Sequence, residues 1–242
     1  MNTVEDLLPD HLKEGLSLAE RKLLQCLPVG EIADLHAGEE AEDDPEQWSS
    51  WGPERTIRAD LLAYLCSSQQ VRALVHPKGL QVKGARIQGM LDVEGATISF
   101  GLSLQDGAIP DGLILGNARI GRLALDGSYL GPVTGDNMVI EGPMRLKQVR
   151  VRGQVQLETV RIEGNLDCTN GHFENWEDAA ILADGASIKG GVLLGRGFQA
   201  KGQVHLRGAN IGGHLGCRGG HFENSGGMPS PLNSLSSDKG YS

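Results

Sequence analysis

The sequence predicts an all-β chain: a four-sided β-solenoid about six coils long, with a small α-helical cap at its N-terminus. Three observations carry that fold class. The block from Gly153 to Asn175 recurs without a gap from Gly202 to Asn224. The two copies share Gly-Gln-Val-x-Leu, Ile-x-Gly-x-Leu-x-Cys and Gly-His-Phe-Glu-Asn. Beneath this long repeat runs a shorter unit, apolar-x-apolar-x-x-small-x-apolar, as in Leu80, Val82, Ala85 and Ile87, then Leu91, Val93, Ala96 and Ile98. Glycine supplies 35 of the 242 residues and aromatics only 4%, so the interior must be thin and aliphatic, with many tight corners.

The second apolar position of the short unit falls on Val82, Val93, Leu104, Leu115, Leu125, Gly135, Leu146, Leu157, Cys168, Ala183, Leu194, Leu206 and Cys217. The intervals run from 10 to 12 residues, with one step of 15 where Trp176 to Ala180 are inserted. Gly197–Phe198 fits the unit least well, because its small and apolar positions slip by one. From Leu115 through Ile120, Leu125, Leu130 and Gly135 to Ile140 the anchors recur every five residues. A helix repeats its apolar face at 3.6 and a long strand at 2, so neither accounts for this spacing. Short extended pieces joined by corners do account for it, and two units of 21 to 22 residues make one four-sided coil of a solenoid. Gly84, Gly89, Gly95, Gly153, Gly164, Gly190 and Gly208 belong at corners that need positive φ or close backbone approach.

Three segments follow: residues 1–78 as a helical cap with an acidic linker, 79–224 as the solenoid and 225–242 as a flexible tail rich in Ser, Gly and Pro. Within the cap, Ser17-Leu18-Ala19-Glu20 forms a capping box opening a helix through Leu23, Leu24 and Leu27 toward Gly30. Thr56 is placed to cap a second helix, with Ile57, Leu61, Leu62 and Leu65 on one stripe. Trp48 and Trp51 are expected over the first solenoid edge. The far edge, after Phe222, has no visible cap and is expected to stack on a second chain, giving a homodimer or an open-ended assembly.

Charge sharpens this organisation. Of the net −9, residues 1–78 hold −8 (15 acidic against 7 basic) and 79–224 only −1 (15 against 14). The acidic run Glu39, Glu40, Glu42, Asp43, Asp44 and Glu46 reads as a solvated linker, with an acidic docking patch as the alternative. Near-neutrality along the rod removes the basis for a nucleic-acid mimic, and Arg145, Lys147, Arg150 and Arg152, without aromatic platforms, read as a solvated face, so no nucleic acid is expected as a partner. No stretch approaches 18 apolar residues and Met1 to Asp10 lacks the basic and apolar regions of a signal peptide, so no transmembrane segment is expected. A cytoplasmic location is expected, with peripheral membrane association left open, and four cysteines suit a reducing compartment.

The search for chemistry returns no catalytic, cofactor-binding or metal residues. Gly190-Gly191-Val192-Leu193-Leu194-Gly195-Arg196-Gly197 lies inside the repeat with no helix to follow, so its glycines are corners rather than a dinucleotide loop. Cys168 and Cys217 sit two coils apart, about 10 Å along the axis, beyond the reach of about 7 Å that a disulfide spans, and read as inward core residues. Cys26 and Cys66 lie on apolar helical faces. His172 and His221 should point outward, beside Glu174 and Glu223, while His205 and His214 belong to neighbouring units. Outward residues two coils apart cannot share one metal ion.

Units such as Gly84-Ala85-Arg86-Ile87 and Gly208-Ala209-Asn210-Ile211 resemble those of pentapeptide-repeat proteins, whose consensus is a small residue, then Asp or Asn, then Leu. Ile57-Arg58-Ala59, the run Gly79 to Asp92 and the Ile-x-Gly-x-Leu-x-Cys blocks resemble a group of bacterial repeat proteins often labelled membrane-associated oxidoreductases. The resemblance covers roughly residues 16–224 and implies a right-handed quadrilateral β-helix and a bacterial origin. Departures from a strict five-residue period imply a wider, less regular coil. The expected role is a non-enzymatic scaffold or protein-interaction module with a protein partner of unknown identity. Two alternatives are a DNA-mimicking topoisomerase inhibitor of the pentapeptide-repeat type and the oxidoreductase that the group label suggests.

Overall fold

Short strands, many of two residues, each pair in parallel with their equivalents one turn earlier and later, and this pairing winds the chain into a β-solenoid of about seven turns. The structure, a computed structural model, describes residues 3–39 and 41–224. Parallel registers of 20 to 27 residues divide the coil wall into four faces, here A to D in chain order.

Each face carries an inward column that runs the length of the rod, and face A a second one through Val82 and Leu104. On face A the full-length column runs Leu80, Leu102, Leu123, Met144, Leu166, Val192 and Leu215. On face B Ile57 and Ile87 pair at one end, and Val151, Phe173, Ala200 and Phe222 follow at the other. Face C stacks Leu91, Leu113, Val133, Val155, Ile181 and Val204. Face D stacks six isoleucines: Ile98, Ile120, Ile140, Ile162, Ile188 and Ile211. The stacked columns merge into one continuous core from which water is excluded. A fully buried aliphatic side chain contributes roughly 1.5–3 kcal/mol, and each rests on its equivalents above and below.

Two corners turn through left-handed backbone. Between faces A and B the turn uses Gly84, Asp106, Gly127, Gln148, Asn170, Arg196 and Gly219, and between C and D it uses Gly95, Asn117, Asn137, Thr159, Gly185 and Gly208, all with positive φ. Glycine, Asn and Asp dominate both columns because they tolerate that conformation at least cost. Gly164 and Gly190 serve the other purpose: a Cβ on Gly190 would lie 2.7 Å from the carbonyl oxygen of Gly164.

The insertion at Trp176 lengthens a strand instead of interrupting it. His172–Leu182 bends around the corner from face B to face C, and its register against Gln199–His205 slips between Glu174 and Ala179. The extra residues bulge outward, where the Asn175 side-chain amide donates to the Ala179 carbonyl at 2.9 Å. Opposite the bulge Gly202 has φ +127°, and a Cβ there would strike the Asn175 carbonyl at 2.3 Å.

At the N-terminal end, helices α1 (Asp10–Lys13), α2 (Leu18–Val29), α3 (Ala59–Ser67) and α4 (Gln69–Arg72) gather over the first coil. The capping box at Ser17 and Glu20 is formed, and Gly30 ends α2 in the left-handed conformation. The Glu20 carboxylate, 1% exposed, also accepts from the Arg58 amide at 2.9 Å and from its guanidinium at 2.8 Å, which pins α2 to the solenoid. Helix α3 packs against strands Leu91–Asp92 and Thr97–Gln105, covering the edges of faces C and D. Two details differ from the sequence reading. Thr56 lies in strand Thr56–Arg58 and α3 starts from Arg58 with no side-chain cap, because Thr56–Arg58 pairs with Arg86–Gln88. With Ala33–Asp34 on Leu80–Lys83, the ladder therefore begins within the N-terminal segment.

Candidate functional site

The acidic run is the main departure from the sequence reading: Asp43, Asp44 and Glu46 belong to a strap bound along face B, while Glu39 and Glu42 are exposed and Glu40 lies outside the described residues. Asp44 caps a short 3-10 helix, Pro45–Ser50, through the Glu46 amide. Asp43 accepts from the amides of Ala37 and Gly38 at 2.8 and 3.0 Å and pairs with Arg55 at 2.8 Å. Arg55, with 6% of its side chain exposed, donates from Nε to the Gly84 carbonyl at 2.8 Å and lies 3.6 Å from the centroid of the Trp51 ring. Burial pulls the Arg55 pKa down, and Asp43 opposes that pull. The strap root is thus tied to the first coil by one nearly dry ion pair.

Farther along, the strap meets the outward column of face B, which reads Arg86, Ala108, Tyr129, Arg150, His172, Gln199 and His221. Trp48 lies over the Arg86 guanidinium, 4.9 Å from ring centroid to Cζ, and 6.3 Å from the Tyr129 ring. The 3-10 helix packs on strand Ala108–Ile109, and Ala108, the one small residue in this stretch of the column, is fully covered. Asp44 and Glu46 both reach Arg150, at 3.0 and 3.6 Å. Trp48 therefore packs on the flank of the solenoid, not over its first edge, while Trp51 stacks on Arg55 within the N-terminal segment. Between strap and wall runs an open cleft of ≈ 1510 Å³, lined among others by His36, Glu42, Asp43, Arg55, Tyr129 and Arg150. A faint sequence signal for this arrangement exists in Asp44-Pro45-Glu46, a helix start of the Asp cap, Pro first-turn kind.

The residues singled out for chemistry are dispersed. Cys168 and Cys217 occupy one inward column on either side of Leu194, and all four cysteines are free. Burial pushes the Cys66 thiol up to about 12 and raises Cys168 further, so neither supplies a thiolate. His172 and His221 point outward on face B, two coils apart. His221 is oriented by Glu223 at 2.7 Å, whereas Glu174 pairs with Lys201 at 2.7 Å. Of the basic cluster, Arg145 pairs with Asp126, Arg150 with the strap and Arg152 with Glu174. The Gly190–Gly197 run forms corners of the wall, with no helix after it. Among the described residues no group of three or more His, Cys, Asp or Glu is placed to hold a metal ion, and no helix is long and apolar enough to cross a membrane.

No family model matches this chain, and no curated protein or solved structure matches it either.

Proposed function

We propose that the chain is a non-catalytic β-solenoid scaffold that works by presenting its end and flanks to other protein surfaces. One observation carries this reading furthest. At the coil formed by Leu215–Gly216 and His221–Glu223 the inward residues Leu215, Cys217 and Phe222 are only half-buried, and no described residue pairs with the outer edge of these strands. An unpaired parallel edge with apolar residues behind it is a template for another strand. A second copy of the chain, stacked end to end about a two-fold axis, would extend the inward columns and satisfy both edges. Light scattering at about 50 μM, where a micromolar interface is filled, should return a dimer mass for the full chain and a monomer mass for Leu215→Lys. A monomer mass for the unaltered chain overturns the stacking. A reproducible turnover in a broad activity screen, lost on one point change in a solenoid face, overturns the non-catalytic reading.

The DNA-mimic alternative needs acidity along the rod, yet the carboxylates Asp126, Glu163 and Glu174 are already paired with Arg145, Lys189 and Lys201 of adjacent coils. The oxidoreductase alternative has as its test the absorption and flavin fluorescence of the purified protein.

A further inference from the structure

We infer that the outward column of face B is a docking groove for an acidic, tryptophan-bearing peptide, and that strap residues 44–48 are its built-in, displaceable occupant. The inference concerns the flank of the solenoid and does not depend on end-to-end stacking. The groove has a consistent chemistry: Arg86 and Arg150 are three coils apart in one register, Tyr129 stands between Arg150 and Ala108, and the small Ala108 lies between Arg86 and Tyr129, the two side chains against which the Trp48 ring rests. The strap answers each feature, with Trp48 over Arg86 and beside Tyr129, and Asp44 and Glu46 on Arg150. The occupant is an acidic segment wound into a short 3-10 helix, so the groove selects that class by charge and by ring.

The strap also fits imperfectly, which makes it displaceable. The Trp48 ring lies over the half-buried Arg86, whose Nε is buried with no hydrogen-bond partner among the described residues, and no described carboxylate pairs with it. A buried cationic donor without an acceptor forfeits its hydration for nothing. A partner peptide that brings a carboxylate to Arg86 together with a ring at Ala108 would gain an interaction the strap lacks. At the other contact the Arg150 pairs are half-exposed, a class of ion pair that contributes little and weakens with salt. The strap root is anchored differently, by the nearly dry Arg55–Asp43 pair and the Trp51 stack. Residues 44–50 can therefore lift off the wall between the anchors at Asp43 and Trp51 without loss of the solenoid.

The probe is the chain's own occupant: a fluorescently labelled synthetic peptide of residues 41–51, titrated at low salt and followed by anisotropy. The full chain carrying Asp44→Ala, Glu46→Ala and Trp48→Ala should bind it at least about tenfold more tightly than the unaltered chain, the worth of one ring-cation contact plus one ion pair. Adding Arg86→Gln and Arg150→Gln to the triple variant should abolish that gain, with circular dichroism confirming an intact solenoid. Equal binding to the triple variant and the unaltered chain, or binding to neither, overturns the inference. So does equal binding of a scrambled peptide or a short DNA duplex, since either would reduce the groove to general charge attraction.

Discussion

Phe198 stacks between Phe173 and Phe222, 5.3 Å from each ring centroid, although it stands two residues earlier in its coil than they do in theirs. In the coils of Phe173 and Phe222 the small position is Gly171 and Gly220, and a Cβ on Gly171 would lie 2.7 Å from the Phe173 ring. In the intervening coil the assignment is exchanged: the ring comes from the small position, Phe198, and the anchor that aligns with Phe173 and Phe222 is Ala200. The same exchange occurs at Gly135 and Met138, where a Cβ on Gly135 would meet the Met138 methyl at 3.0 Å. The quantity kept from coil to coil is the volume of the pair, not the size at either site.

Phe198→Ala should leave a cavity and lower the unfolding free energy by about 3–5 kcal/mol. Ala200→Phe in the unaltered background should overpack the same space and cost about 1–3 kcal/mol. Combining them moves the ring to the position it holds in the neighbouring coils, so the double variant should be more stable than Phe198→Ala alone. Urea denaturation of the four proteins measures this coupling. A double variant no better than the sum of its parts would mean the two sites do not share one volume.

Thr159 is the β-branched member of the corner column between faces C and D, with φ 54° where its neighbours are mostly Asn and Gly. A β-branched residue in left-handed backbone carries strain of about 1 kcal/mol. Its hydroxyl recovers part of this by donating to the Asn137 side-chain oxygen at 2.6 Å. Thr159→Asn, matching Asn117 and Asn137 in the column, should raise the calorimetric midpoint by about 2–4 °C. An unchanged or lower midpoint would show that the hydroxyl bond outweighs the strain.

The isoleucine column of face D was legible because a corner every five residues leaves only one or two inward side chains per side, and that constraint prints itself on the sequence. Legible for the same reason were Cys168 and Cys217, whose shared column follows from counting coils. Gly135 and Phe198 read as blemishes because compensation runs between two sites, while a repeat scores each site alone. Glu20 was legible as a capping residue, but its bond to Arg58, 38 residues on, was not. The strap was misread for a deeper reason. It lies outside the wall, where the period carries no information, and Asp44 meets Arg150 across 106 residues of chain. Acidity alone describes a solvated linker equally well, so only coordinates reveal the cation it rests on.

The thiols should divide by burial. Cys66 and Cys168 are fully enclosed, and desolvation holds both thiols far above neutral pH. A disulfide-exchange reagent at pH 8 should therefore leave these two unmodified in the native protein and reach them only in guanidinium. Cys217, half-buried in the last described coil, should be the first to react. Its labelling should also slow with rising protein concentration if the open end is covered by stacking, which mass spectrometry of the modified peptides resolves. Fast native labelling of Cys168 would contradict a dry inner column.

Acid should release the strap before it unfolds the solenoid. Burial pushes the Asp43 carboxyl up, but the Ala37 and Gly38 amides and the Arg55 charge together outweigh it, leaving the carboxyl below its ordinary value. A carboxyl depressed in the folded state contributes stability that is complete above its unfolded pKa of about 3.9 and disappears as pH falls through the lower, folded value. The groups facing it are His36, Glu42, Glu54 and Arg55, and of these Arg55 keeps its charge throughout, so protonating Asp43 strands a buried cation. Emission from Trp48 and Trp51 should shift to the red between about pH 4 and pH 2, while far-ultraviolet circular dichroism still reports the β-ladder. Asp43→Asn should show the red-shifted emission already at neutral pH and lose the acid step. Coincident loss of both signals, with no separate tryptophan transition, would mean that the strap and the wall unfold as one unit.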